Sequence, residues 1–94
     1  MSTPAPWTVR LDRTVQKQLD RLPNHDRDAI RVALRALARD PFSNPKAERL
    51  HEYLFGWRLV VRAYRVLYDL DPLDRLIIVG EVARRTTTTY KRRR

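Results

Sequence analysis

Residues 56–70, GWRLVVRAYRVLYDL, carry the pattern that decides the fold. Its first five residues after the glycine alternate, and alternation of this kind places successive side chains on opposite faces of a β-strand. The inward-facing set is Trp57, Leu59 and Val61. Arg62-Ala63 offers a tight connection, after which residues 64–70 continue as a second strand. The stretch therefore predicts a β-hairpin that turns one face towards a core.

The residues that follow predict a third strand. Asp71-Pro72-Leu73-Asp74 has the composition of a turn. Residues 76–82, LIIVGEV, are apolar on both faces, which is typical of a strand with neighbours on both sides. The three strands together predict an antiparallel β meander.

The residues before the hairpin predict one strand and two helices. Residues 7–11 alternate apolar and polar side chains, as a half-buried strand does. Asp12 is a suitable N-cap for a first helix, which Pro23 stops, and Asn24 can cap a second helix, which Pro41 ends. The apolar stripes of the two helices are Val15, Leu19 and Leu22, and Ile30, Ala33, Leu34 and Leu37.

These elements predict an α+β fold in the order β-α-α-β-β-β. An N-terminal strand and a two-helix hairpin precede an antiparallel β meander that packs on the helices. Residues 41–46 are a loop, and residues 48–54 are ambiguous between a loop and a short strand. The length of 94 residues predicts one domain, with residues 1–6 as a loose lead-in and residues 91–94 as a basic tail.

Charge is the main compositional signal. The 20 Lys and Arg exceed the 11 Asp and Glu by nine, and six of the basic residues lie in residues 84–94. A small, strongly basic domain indicates a polyanionic partner, most often nucleic acid. The chain has no Cys and only two His, so we expect no disulfide and no metal or other cofactor. No secretory signal or apolar run of membrane-spanning length is present, so we expect a cytoplasmic protein.

Arginines dominate the predicted hairpin. We expect Arg58, Arg62 and Arg65 to project from the face that the helices leave open, with Arg84 and Arg85 leaving the last strand nearby. Fixed cations on a sheet face can bind a phosphodiester backbone and stabilise charge that develops on a phosphate.

A second interpretation of these arginines remains open. They can be solvated side chains that pair with the carboxylates of Glu81, Asp69 or Glu52. For a single arginine that interpretation is favoured, whereas convergence of three or more from different strands favours phosphate binding.

The second predicted helix carries a further basic row. Arg27, Arg31, Arg35 and Arg39 recur every four residues and so share one helix face. A solvated face explains this row, and so does a track for ribosomal RNA or for an acidic partner segment.

Several segments together resemble the RelE/ParE toxin superfamily, over roughly residues 6–90. They are Leu50, Gly56-Trp-Arg-Leu59, Tyr64-Arg-Val-Leu-Tyr68, Leu70-Asp71, Arg84-Arg85 and Tyr90. Two positions depart from the usual pattern. Val60 stands where many members have a second basic residue, and Arg62-Ala63 replaces a Gly-Asp pair.

The resemblance implies a toxin that cleaves mRNA in the ribosomal A site without metal and that a cognate antitoxin neutralises. It implies attack of the 2′-hydroxyl on the adjacent phosphate, with Tyr90 as the base or as a group that orients the base. Arg65 and Arg85 would stabilise the transition state, and Arg58 is the basic residue after the strand-start aromatic. Further RNA contacts are expected from Arg62, Arg84, Lys91 and Arg92. The alternative within the superfamily is a ParE-like toxin that inhibits DNA gyrase and leaves RNA intact.

Overall fold

The computed structural model describes residues 5–51 and 53–85. The strands and helices are β1 (Thr8–Leu11), α1 (Arg13–Asp20), α2 (Asn24–Arg39), β2 (Ala47–Arg49), β3 (Trp57–Val61), β4 (Tyr64–Asp71) and β5 (Leu76–Arg84). The strands form one sheet in the order β1-β5-β4-β3-β2. The predicted α+β class and element order are confirmed.

The sheet combines an antiparallel meander with one parallel pair. Strands β2 to β5 pair antiparallel in sequence, whereas β1 pairs parallel with β5. Strand β5 therefore has neighbours on both sides, as its two apolar faces predicted. Of the ambiguous residues 48–54, Glu48 and Arg49 belong to the short edge strand β2, and β1 is the opposite edge.

The two helices begin by different means. Asp12 caps α1 as predicted, because its Oδ1 accepts a hydrogen bond from Val15 N at 2.8 Å. The cap predicted at Asn24 is wrong by one residue, since Pro23 occupies the cap position of α2. The fixed φ of −55° and the extended ψ of 150° suit Pro23 to that position. Its carbonyl accepts the first helical hydrogen bond, from Arg27 N at 3.0 Å.

The core lies between the helices and one face of the sheet. The fully buried side chains are Val15, Leu19, Ile30, Leu37, Leu59, Val66, Tyr68, Ile77 and Val79. Burying each large apolar side chain contributes about 1.5–3 kcal/mol. Trp57, only half-buried, packs against this core and stacks on Tyr68 at 6.3 Å between ring centroids. The predicted inward set of β3 is thus confirmed, and the other face of the sheet, the open face, carries its alternate residues.

One of the two glycines, Gly80, lies where the ring of Phe55 closely approaches the sheet. The strand register shifts between Leu67 and Tyr68, so Gly80 is the extra residue of a β-bulge. A Cβ at Gly80 would lie only 2.1 Å from the ring of Phe55, so no other residue fits without displacing that ring.

The segment that carries Phe55 is tied down at both of its ends. Leu50 N donates to Gly56 O at 2.7 Å, and Gly56 N donates to the Asp69 carboxylate at 2.7 Å. Among the described residues, neither helix is long and apolar enough to span a membrane.

Candidate functional site

Arg58 of β3 and Arg65 of β4 share the open face, and Arg85 follows directly after β5. Arg65 of β4 lies opposite Val60 on one side and Ala83 on the other. Arg58 is two residues before Val60, and Arg85 is two residues after Ala83, so both are diagonal neighbours of Arg65. Such neighbours are about 7–8 Å apart. The strand register therefore brings together the three arginines, Arg58, Arg65 and Arg85, that the resemblance assigned to catalysis.

Arg58 is held by a carboxylate that the sequence did not single out. Its Nε donates to Glu48 Oε1 at 2.8 Å, and its Nη2 bonds the same oxygen. Strand β2 supplies this partner because Glu48 lies directly opposite Arg58 in the sheet. The guanidinium is half-buried while the carboxylate is largely exposed, so the pair fixes the direction of Arg58. The sequence did not reveal this contact, because it depends on the pairing of β2, a strand of only three residues.

The charge of the open face is unevenly distributed. Glu81 lies opposite Leu67, on the same face as Arg65 and Glu48. Arg58 and Arg65 thus have an acidic residue on each side, Glu48 on β2 and Glu81 on β5. Arg85, at the end of the sheet, forms no ion pair with a carboxylate of the described residues.

Arg85 continues the pairing of β5 with β4 beyond the last strand residue. Its backbone N donates to Ala63 O at 2.6 Å, and its Nη1 donates to Arg62 O at 3.5 Å. The tight turn of the β3–β4 hairpin therefore positions both the backbone and the side chain of Arg85.

The prediction that Arg62 projects from the open face is wrong. Arg62 lies in the hairpin turn with a φ of 54°, so the strand alternation that governs Arg58 does not extend to it. Its Nη1 instead lies 3.6 Å from Asp26 Oδ1 of α2, on the side of the sheet that the helices cover.

Arg84 lies on that same covered side. It is opposite Tyr64 in the sheet, its Cζ lies 5.7 Å from the Tyr64 ring centroid, and its Nη1 donates to Tyr64 Oη at 3.4 Å. Arg62 and Arg84 thus form a second basic group, separated by the sheet from Arg58 and Arg65.

Asp26 is the centre of this second group. Tyr64 Oη donates to Asp26 Oδ2 at 3.0 Å, and His25 Nε2 lies 3.5 Å from Asp26 Oδ1. Burial of the phenol and its hydrogen bond to the carboxylate raise the pKa of Tyr64. The sequence indicated only that Asp26 suits the helix dipole, whereas the structure joins α2, the hairpin turn and the end of β5 through it.

The remaining predicted site residues, Tyr90, Lys91 and Arg92, lie outside the described residues. Within the described ranges, no three His, Cys, Asp or Glu side chains are grouped closely enough to hold a metal ion. The described part of the site can bind an anion through Arg58, Arg65 and Arg85, because planar guanidinium groups donate paired hydrogen bonds to phosphate oxygens.

Comparison with known proteins extends these observations. The family described as "ParE toxin of type II toxin-antitoxin system, parDE" matches residues 9–87. A chain of the RelBE2 toxin–antitoxin complex from Mycobacterium tuberculosis is similar with a TM-score of 0.73 and 28% identity, over 86% of this chain and 100% of that one. No curated protein sequence matches the chain significantly.

Two further solved structures share the fold. A chain of the archaeal RelE–RelB complex from Pyrococcus horikoshii has a TM-score of 0.76 and 21% identity, over 88% of this chain and 99% of that one. The isolated E. coli RelE toxin has a TM-score of 0.71 and 16% identity, over 87% of this chain and 89% of that one.

Proposed function

Because the chain belongs to the ParE toxin family of type II toxin–antitoxin systems, we propose that it is a RelE-like toxin that cleaves mRNA in the ribosomal A site. It would act in the cytoplasm and be neutralised by a cognate antitoxin. Structures of RelE–RelB type complexes among the similar proteins support a partner of that kind.

The observation that carries this proposal is the diagonal row of Arg58 on β3, Arg65 on β4 and Arg85 directly after β5. The proposed reaction is attack of a ribose 2′-oxygen on the adjacent phosphorus. The bond from phosphorus to the 5′-oxygen breaks and that oxygen takes a proton from water, which leaves a 2′,3′-cyclic phosphate and a 5′-hydroxyl. Negative charge accumulates on the phosphate oxygens in the transition state, where preorganised guanidinium donors stabilise it.

Each predicted residue has a proposed role in this reaction. Arg65 and Arg85 stabilise the phosphate oxygens, and Arg58, directed by Glu48, binds the phosphodiester beside them. Tyr90 accepts the proton of the 2′-hydroxyl.

Four further basic residues are proposed to contact RNA outside the reacting phosphate. Arg62 and Arg84 would bind RNA that passes around the end of the sheet, next to Arg85. Lys91 and Arg92 would add attraction to the RNA backbone that does not depend on base sequence.

A second function is inhibition of DNA gyrase without RNA cleavage. The observation that favours it is that the matching family is described by ParE rather than RelE. The acidic residues beside Arg58 and Arg65 also reduce the excess of positive charge on the open face.

One experiment separates the two functions. The purified chain is added to ribosomes programmed with a defined mRNA in EDTA, cleavage is mapped by primer extension, and a gyrase supercoiling assay runs in parallel. We expect Arg65→Ala and Arg85→Ala each to lower the cleavage rate by about 100- to 1,000-fold, since the loss of one preorganised donor has that effect.

Arg10→Ala is the matched control, because Arg10 is an exposed arginine of the same sheet on β1. Its cleavage rate should equal that of the unaltered protein. Intact mRNA together with inhibited supercoiling would show that the chain is a gyrase inhibitor and not a nuclease.

A further inference from the structure

A pocket of about 250 Å³ lies where β3 begins and β4 ends, at the end of the sheet away from the β3–β4 turn. Two aromatic rings, a guanidinium and a carboxylate line it, those of Phe42, Trp57, Arg49 and Asp69. The pocket adjoins the open-face arginines, because Trp57 immediately precedes Arg58 on β3. The proposed reaction uses none of the four lining side chains.

The aromatic part of the pocket is exposed and held in place. Arg49 lies directly opposite Trp57 in the sheet, and its Cζ is 5.5 Å from the centroid of that half-buried indole. Phe42 is 62% exposed, its backbone N donates to Asp40 Oδ1 at 3.1 Å, and its ring meets Trp7 edge-to-face at 5.5 Å. Exposed aromatic rings and arginine planes are the surfaces on which unpaired RNA bases stack.

The carboxylate of the pocket is fixed by the backbone. Asp69 Oδ1 accepts a hydrogen bond from Gly56 N at 2.7 Å. A Cβ at Gly56 would lie 3.2 Å from the same oxygen, so a larger residue there would crowd the carboxylate. Asp69 forms no ion pair with any residue in the described ranges. An ionised carboxylate has about four lone-pair sites, so the bond to Gly56 leaves most of them to a ligand.

A carboxylate distinguishes among the four RNA bases by their donors, because it only accepts hydrogen bonds. Guanine carries two adjacent donors, N1–H and the N2 amino group, that can bond one carboxylate in parallel. Adenine and cytosine each offer one amino group on that edge, and uracil offers one N3–H. Parallel paired bonds to a charged group are the stronger arrangement, so the pocket favours guanine.

We infer that this pocket binds a guanine base of single-stranded RNA. Asp69 accepts from guanine N1–H and N2–H, while the ring of Phe42 and the guanidinium of Arg49 pack against the base. The inference rests on the proposed function only in that mRNA is the source of the base. Cleavage would then be favoured beside a guanosine.

The charge beside the pocket suits a nucleotide better than a cationic side chain of a protein. An arginine or lysine from another protein would be attracted to Asp69 but repelled by Arg49. Arg49 is exposed and has no ion-pair partner within the described part of the chain, and its charge attracts the phosphate that accompanies a base. RNA bound to Arg58 can reach the pocket by passing round β2, the edge strand of three residues.

The test measures binding of the full chain to two labelled RNA hexamers by fluorescence anisotropy. One hexamer is all uridine, and the other contains a single guanosine. Both carry 2′-O-methyl groups, which remove the attacking hydroxyl, so the proposed reaction cannot consume them. We expect the guanosine hexamer to bind about 5- to 100-fold tighter, since paired hydrogen bonds to a base give discrimination of that size.

Asp69→Asn should make the two hexamers bind equally. The amide keeps an oxygen for Gly56 N but turns an N–H₂ group towards the donors of guanine. Asp74→Asn is the matched control, because Asp74 is an exposed carboxylate in the turn after β4 that does not line the pocket. It should keep the full preference for guanosine.

A second pair of variants tests the stacking surface. Phe42→Ala should weaken binding of the guanosine hexamer by about 5- to 100-fold, the usual effect of removing an aromatic ring from a base. Val32→Ala is its control, since Val32 is 55% exposed on α2 and lies outside the pocket. Its affinity should equal that of the unaltered chain.

A further measurement changes only the ligand. Inosine lacks the N2 amino group of guanosine, so replacing the guanosine by inosine should weaken binding to the unaltered chain by about 10-fold. If Asp69→Asn fails to fold, this measurement decides alone. Equal binding of the inosine and guanosine hexamers would overturn the inference.

The outcomes separate the inference from the proposed function. Equal affinity for the uridine and guanosine hexamers, or a preference that persists in Asp69→Asn, overturns the guanine site and leaves mRNA cleavage standing. An arginine-containing peptide that binds the chain and is lost in Phe42→Ala, while both hexamers bind alike, would assign the pocket to a protein and also overturn the inference. Preference for guanosine in a chain that leaves ribosome-bound mRNA intact supports the guanine site and removes the proposed function.

Discussion

Replacing Tyr64 by phenylalanine tests the group of polar side chains around Asp26. The substitution keeps the ring in the core and removes the hydroxyl that donates to the Asp26 carboxylate at 3.0 Å. A hydrogen bond to a charged group stabilises a protein by about 1.5–3 kcal/mol. Asp26 keeps its contacts with Arg62 and His25 in the variant, so we expect a loss at the lower end, about 1.5 kcal/mol.

The assay is urea unfolding followed by tryptophan fluorescence, together with thermal melting. For a domain of this size, a loss of about 1.5 kcal/mol lowers Tm by about 6–12 °C. Tyr64 is buried and next to the hairpin turn that holds Arg85. We therefore also expect faster hydrogen exchange at the amides of that turn.

The pH dependence gives an independent check with a defined sign. The pKa of Tyr64 is raised in the folded state, chiefly by burial and then by the bond to Asp26. Above pH 10 the unfolded chain therefore ionises this phenol first, so the free energy of unfolding falls as pH rises. Tyr64→Phe lacks this group, and the stability difference between the two proteins should shrink above pH 10. Equal stability at pH 7, or a difference that grows above pH 10, would refute the reasoning.

The other substitutions have expected outcomes of different kinds. Tyr68→Phe should stabilise the protein by about 1–3 kcal/mol in the same urea assay, because the buried Tyr68 hydroxyl has no hydrogen-bond partner in the described ranges. A destabilised variant would mean that this hydroxyl is bonded. Gly80→Ala should lower the free energy of unfolding by about 1–3 kcal/mol, because the added Cβ meets the Phe55 ring. Combining it with Phe55→Ala should remove most of that added cost. Strictly additive losses in the double variant would contradict the clash. Glu48→Gln should leave stability within about 0.5 kcal/mol, because the pair with Arg58 is partly exposed. Arg58→Ala should flatten the logarithmic salt dependence of RNA binding by about 0.7, which filter binding at several salt concentrations would measure. An unchanged slope would remove Arg58 from the RNA contacts.

Local patterns in the sequence determined the elements and the direction of their side chains. Alternation over residues 57–61 assigned the two faces of β3, and Asp12 began α1, because these features depend on neighbours within about four residues. The same reasoning assigned Arg58 and Arg65 to one face correctly. It failed at Arg62, because a turn residue with positive φ leaves the alternation on which the prediction relied.

Contacts between distant segments were decided by the tertiary structure. The bond from Tyr64 to Asp26 joins residues 38 positions apart, and the partner of Arg58 depends on the pairing of a strand of three residues. None of these contacts has a local signature. Each depends on which elements pack together, and that choice is made by burial of the whole apolar core rather than by the residues in contact.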